Sequence, residues 1–179
     1  MTKKWRNRLR HAEHARLRVE TTGEIPEWLI ARERQQQKAR RYGNLPKPWI
    51  EAWMRLAPGA AFTMIARHDD GTPIAAMAFV THGAAATYLL GWSDIAGRAA
   101  SAHNLLLDRA AELLRDRGIC RLDLGQIDRK GQPGLARFKL GCGARPVTVA
   151  PFRAIGPWSG QRGRAGHCPD PHMGKPERR

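Results

Sequence analysis

The chain has 179 residues, 42% of them apolar, enough for one domain with a sizeable core and too apolar for wholesale disorder. Lys and Arg number 31 against 16 Asp and Glu, a net charge of +15 that favours polyanionic partners such as RNA, phosphorylated ligands or an anionic surface. No run approaches the ~18 unbroken apolar residues of a membrane span, and the basic N-terminus lacks the apolar core of a signal peptide, so a cytoplasmic protein is expected.

Residues 3–18 place Trp5, Leu9, Ala12 and Leu17 at helical spacing among many cations, and residues 17–20 alternate like a short strand. Pro26 suits the first turn of a polar helix reaching about residue 41, with Gly43 as its stop. A second helix starts near Pro48, turns Ile50, Trp53 and Met54 inward, and ends at Pro58-Gly59. The period then changes. Residues 61–68, 73–81 and 84–92 read as three strands joined by Asp69-Asp70-Gly71 and His82-Gly83, an antiparallel meander. The middle strand, IAAMAFV, is continuously apolar and therefore central.

Ser101 is the expected cap of a helix to about residue 117, with Gly118 as its C-terminal stop. A short strand at 120–124, a Gly-rich loop, a short helix at 135–140 and a last strand at 145–152 follow. From residue 156 large apolar residues nearly vanish, so 156–179 reads as a disordered basic tail after a folded unit at 1–155. The expected fold is mixed α/β, a single domain with a largely antiparallel sheet flanked by helices.

No phosphate-binding P-loop, dinucleotide Gly motif, H-E-x-x-H or G-x-S-x-G sequence occurs. His167, Cys168 and His172 have no metal-site spacing, so no metal centre is expected. The densest chemistry follows residue 124. Gly125, Gly131, Gly134, Gly141 and Gly143 are interleaved there with Arg129, Lys130, Arg137 and Lys139. Glycines let backbone N–H groups approach an anion, and the cations supply charge; the alternative is a solvated loop. Arg98 near a helix start also suits an anion. Asp123 either orients or deprotonates an amine, or caps the turn that follows. His103 is a base or a structural histidine, and the cationic 3–18 helix with Trp5 is an RNA grip or a solvated face.

The stretch D-L-G at Asp123–Gly125, followed by G-L-A-R-F-K-x-G-x-G-A from Gly134 to Ala144, resembles the FemAB-type aminoacyltransferases and the related BioF2-like domains of the GNAT superfamily. The basic helix at 4–13, Pro73-Ile74-Ala75-Ala76 and the 101–118 helix are similar to that family in the same order. The resemblance implies a GNAT-type fold and transfer of an acyl or aminoacyl group to an amine, with a cell-wall or polysaccharide precursor as one acceptor class. The donor it implies is an aminoacyl-tRNA or an acyl-CoA, consumed as substrate, with no permanently bound cofactor. It implies that Phe138 and Lys139 line the channel and that Lys139 matters for transfer; on chemical grounds Lys139 would stabilise charge, with Arg137, Arg129, Lys130 and Arg98 holding the anionic donor. The bland alternatives are a core anchor for Phe138 and a surface lysine for Lys139.

Bridge-forming relatives have two lobes and this chain has room for one, which leaves place for a partner lobe or a homo-oligomer. Conventional GNAT enzymes carry a [QR]-x-x-G-x-[GA] turn for CoA pyrophosphate, and Gly97-Arg98-Ala99-Ala100-Ser101 departs from its spacing. The rival readings are a non-catalytic basic RNA- or anion-binding module and a truncated one-lobe remnant.

Overall fold

The computed structural model describes residues 1–148. The expected boundary at 155, the basic tail, and His167, Cys168 and His172 lie outside the described residues. Five strands form one sheet in chain order: β1 (Arg18–Thr22), β2 (Ala61–Arg67), β3 (Pro73–His82), β4 (Ala85–Ser93) and β5 (Arg121–Asp123). The first four are antiparallel neighbours, and β4 pairs with β5 in parallel. A parallel pair needs a long crossover, and the helix α5 (Ala102–Asp116) supplies it, preceded by the short α4 (Ile95–Ala99).

The central strand β3 is buried along Ile74–Val80, as its unbroken apolar run predicts. On one face Phe62, Met64, Met77 and Phe79 pack with Leu106, Leu107, Ala110 and Leu114 of α5, and with Trp5 of α1 (Lys3–His14). On the other, Ile65, Ala76, Ala78 and Leu90 pack with Leu29 and Ile30 of α2 (Glu27–Arg40) and Ile50 of α3 (Lys47–Leu56). The alternation follows from the two-residue period of a strand. The last helix, α6 (Pro133–Gly141), lies against α1. Thr2 N–H donates to the Gly141 carbonyl at 2.8 Å, and a Cβ at Gly141 would stand 3.0 Å from the Trp5 ring.

Several expectations shift for local reasons. The first helix stops at His14 rather than 18, because Arg18 onward pairs with Arg67 and its neighbours in β2. α2 ends with Arg41 in the left-handed region (φ 54°), so Gly43 is not its stop. Ser101 precedes α5 at φ 56° without a side-chain cap; Asp94 instead caps α4, accepting from Gly97 N–H at 2.7 Å. Arg145–Thr148 join no strand, and the rest of the expected last strand lies outside the described residues.

The end of α5 meets its expectation. Gly118 (φ +74°) donates to the Arg115 carbonyl and Ile119 to the Leu114 carbonyl, both at 2.9 Å, closing a Schellman motif. A Cβ at Gly118 would meet nothing within 4 Å, so Gly118→Ala isolates the conformational term. The expected loss is about 1–2 kcal/mol, read as a lowered urea midpoint at unchanged m-value.

Candidate active site

β3 pairs with β4 from Ala75–Ser93 to His82–Ala85, but β5 pairs only with Ala85, Ala86 and Thr87. Beyond Thr87 the two parallel strands part. Among the described residues the other edge of β4 is then left without a strand, and a cleft of about 1030 Å³ opens there. A bulge at Leu89, between the Phe79–Tyr88 and Ala78–Leu90 pairs, marks the same place.

Side chains take over the β4 carbonyls. Asn44 Nδ2 donates to Leu89 O at 3.0 Å, Gln36 Nε2 to Gly91 O at 3.3 Å, and Arg98 Nη1 to Ser93 O. A histidine nitrogen facing a carbonyl must carry the proton, so His103 Nε2 donates to Trp92 O at 3.0 Å. Burial pushes the His103 imidazole below its usual value and so favours the neutral ring.

Lys139 is buried, which removes the surface-lysine alternative. α6 places it at the cleft wall, where Nζ donates to the Gln126 carbonyl at 2.9 Å. Loss of hydration lowers its pKa, and the Asp123 carboxylate opposes that shift. Phe138 lines the cleft and is also packed, with ring centroids 6.3 Å from both Trp5 and His103. It therefore combines the channel position with the anchor position. Trp5 itself is buried, so it is not exposed for base stacking. Arg98 stands at the cleft, exposed beyond its contact with Ser93.

The remaining sequence candidates are not among the cleft walls, although the Asp123 charge acts on Lys139. Asp123 accepts from Gly125 N–H at 2.7 Å, the turn-capping arrangement. Arg129, Lys130 and Arg137 are exposed and outside the cleft walls. The Gly-rich loop holds its own donors: Asp128 Oδ1 accepts from Lys130 N–H at 2.9 Å and Gly131 N–H at 2.8 Å. Two amides expected to face an anion are thus engaged within the chain.

Three residues at the cleft escaped sequence reasoning. Tyr88 sits where β5 leaves β4, its hydroxyl 2.2 Å from where a Gly91 Cβ would stand. Burial pushes its phenol up, so it remains an O–H donor. Asn104, in the first turn of α5, is buried with Nδ2 unpartnered among the described residues. Glu33 is buried on α2. Its Oε1 accepts from Tyr42 Oη at 3.2 Å and Asn44 Nδ2 at 3.3 Å, and Oε2 accepts from Gln37. The signal for Glu33 was its place one helical turn after Leu29 and Ile30, on the buried stripe.

A family model described as the acetyltransferase (GNAT) domain matches residues 1–146. The chain belongs to the GNAT acetyltransferase family. Solved structures carry the same fold. A GNAT-family acetyltransferase from Staphylococcus aureus Mu50 superposes with TM-score 0.60 at 14% identity, over 79% of this chain and 94% of that one. An aminoglycoside acetyltransferase from an uncultured soil metagenomic sample gives 0.57 at 11% identity, over 78% and 96%. A ribosomal-protein-alanine N-acetyltransferase from Brucella melitensis biovar Abortus 2308 gives 0.51 at 15% identity, over 76% and 98%. No curated protein matches. Members of this GNAT family transfer acyl groups to amines, and the single mixed α/β domain expected from the sequence is the one found. The match is to the GNAT domain as a whole and leaves the FemAB and BioF2-like branch unassigned. No helix among the described residues is long and apolar enough to cross a membrane.

Proposed function

We propose that this GNAT domain is an N-acyltransferase that takes its acyl group from a CoA thioester. The observation that carries the reading is Lys139. It is a buried amine at the cleft between the parted strands, hydrogen-bonded to one carbonyl and in no ion pair among the described residues. A buried cation with no carboxylate in contact is costly, the Asp123 charge offsets it only from a distance, and a ligand that develops negative charge offsets the rest. During transfer the amine nitrogen bonds to the thioester carbon, the C–S bond breaks, the nitrogen loses a proton to solvent and CoA leaves as its thiol. Charge gathers on the carbonyl oxygen midway, and a fixed ammonium stabilises it. Tyr88 supplies a neutral O–H donor in the same cleft, and Phe138 shapes its wall. Arg98, Arg8 and Arg40 at the rim suit the phosphates of the donor. The orphan Asn104 side-chain amide at the start of α5 suits the same anion, although the sequence there departs from the usual pyrophosphate turn.

An aminoacyl-tRNA is the second donor reading. It is favoured by the exposed cations Lys3, Lys4, Arg6, Arg8 and Arg10 on α1, whose Arg8 reaches the cleft. One experiment separates the donors. Acetyl-CoA, desulfo-CoA and an aminoacylated tRNA minihelix are titrated into the protein by calorimetry across a salt series. Thiol release is followed with a panel of amines. Binding of acetyl-CoA together with amine-dependent thiol release is the expected result. Binding of charged and bare minihelix alike, with a steep salt slope and no thiol release, sinks the enzyme reading in favour of a basic RNA-binding module.

A further inference from the structure

Among the described residues one carboxylate and one amine are buried, Glu33 and Lys139, and both line the same cleft. They form no ion pair with each other or with any other side chain described. Lys139 is accounted for by the acyl donor. Glu33 is not.

Its surroundings are neutral by construction. Gln37, Tyr42 and Asn44 donate to its two oxygens, and Gln36 holds Tyr42 by donating to its hydroxyl at 2.9 Å. Asn44 and Gln36 also grip the β4 carbonyls of Leu89 and Gly91, so the carboxylate is fixed to the free edge of the sheet. The other acidic side chain lining the cleft, Asp128, is exposed, where water and salt screen its charge, whereas Glu33 is buried. Arg8, Arg40, Arg98 and Lys139 are all cationic. Among the described residues, the Glu33 wall is therefore the buried part of the cleft where a positive ligand group is favoured over a negative one.

The charge on that group must persist through the reaction. An amine attacks a thioester only after losing its proton, so a carboxylate beside the reacting nitrogen serves it as a proton acceptor and not as a lasting counter-ion. Glu33 is also immobilised by three donors, which suits holding a ligand better than shuttling a proton. We propose that the acceptor carries a second cationic group, as in an α,ω-diamine or polyamine, and that Glu33 binds this non-reacting ammonium while the other amine meets the acyl group. This inference rests on the acyltransferase reading for the identity of the cleft, but its binding step can be measured without turnover.

The test uses cadaverine, and pentylamine as its singly charged match, with the wild-type chain, Glu33→Gln and Glu33→Asp. Calorimetry of each amine is run without donor, and thiol release from acetyl-CoA is run in parallel. Glu33→Gln keeps an acceptor for Tyr42 and Asn44, and its melting curve checks the fold. In the wild type cadaverine is expected to bind at least ~10-fold more tightly than pentylamine, the gain of one charge-assisted contact. Glu33→Gln should erase that preference and raise the cadaverine KM by a similar factor, leaving the KM for acetyl-CoA unchanged. Glu33→Asp should recover part of it. Equal binding of the two amines by the wild type, or a preference that survives in a folded Glu33→Gln, overturns the proposal. Cadaverine binding that depends on Glu33 with no thiol release from any amine would leave the cation site standing and remove the acyltransferase reading.

Discussion

Lys139→Met is expected to lower amine-dependent thiol release from acetyl-CoA by about 10²-fold, the usual loss when one donor to a developing oxyanion is removed. Because Lys139 is buried, truncation to Ala would mix this effect with a cavity, whereas Met preserves the stem and removes only the charge. A pH signature accompanies it. Desolvation lowers the Lys139 pKa, so the folded chain holds this proton less tightly than the unfolded chain does. The burial penalty is present in full below the folded-state pKa and fades as the pH rises from there to the ordinary lysine value. Stability of the wild type relative to Lys139→Met should therefore increase with pH across that alkaline window. Activity should move the opposite way, because the neutral amine no longer stabilises the oxyanion. Lys139→Arg, always charged, should shift this alkaline fall upward even if its absolute rate is lower. A wild-type rate retained in folded Lys139→Met would remove this side chain from the chemistry.

The largest stability effect is expected at Phe79→Ala. Phe79 lies in the central strand with no exposed surface, stacked on Phe62 at 5.0 Å between ring centroids and tilted against Tyr88 at 5.7 Å. Its removal leaves a cavity between β3 and α5 that the surrounding rings cannot fill, for a loss of about 3–5 kcal/mol. Thermal or urea unfolding should show that loss, a fall in Tm on the order of 10 °C for a chain of this size. Phe79→Leu, which refills much of the volume, should recover over half of it. A loss below about 1 kcal/mol for Phe79→Ala would mean the sheet is not packed around this ring. Since Phe79 supports Tyr88, the variant should also weaken acetyl-CoA binding at temperatures where it remains folded.

Most of the fold was legible because its signals are local. The apolar run IAAMAFV can be satisfied only in a strand covered on both faces, and β3 is the middle of five. Asp69-Asp70-Gly71 closes the β2–β3 turn with Gly71 at φ +84° and Asp70 accepting from Thr72 N–H at 2.8 Å. Gly118 closes α5 for the same kind of reason. The short helix expected at 135–140 is α6, and helical phase together with Trp5 beside Gly141 sets Phe138 and Lys139 at the cleft. The errors were local as well. Ser101 takes the N-cap place of α5 but makes no side-chain cap hydrogen bond there, and Arg41 ends α2 in place of Gly43.

The site was legible only in part, since a site is made by partners distant in the chain. Local pattern alone makes Lys139 a surface lysine; it is the fold that buries it under the Gln126 carbonyl and gives it an unpaired charge. The glycines at 125 and 131 suggest open amides, but aspartates two and three residues upstream occupy them. Glu33 carries no motif, and it became a candidate once the chain reversal at Arg41 brought Tyr42 and Asn44 back onto it. The amino-acid order therefore settles the elements, their central strand and the basic surface, because helix phase, strand alternation and turn chemistry act over a few residues. Which charges are buried is decided by the packing of α2 and α6, and which edge of β4 lies open among the described residues follows from β5 leaving the sheet after Thr87, long-range events that no local pattern records.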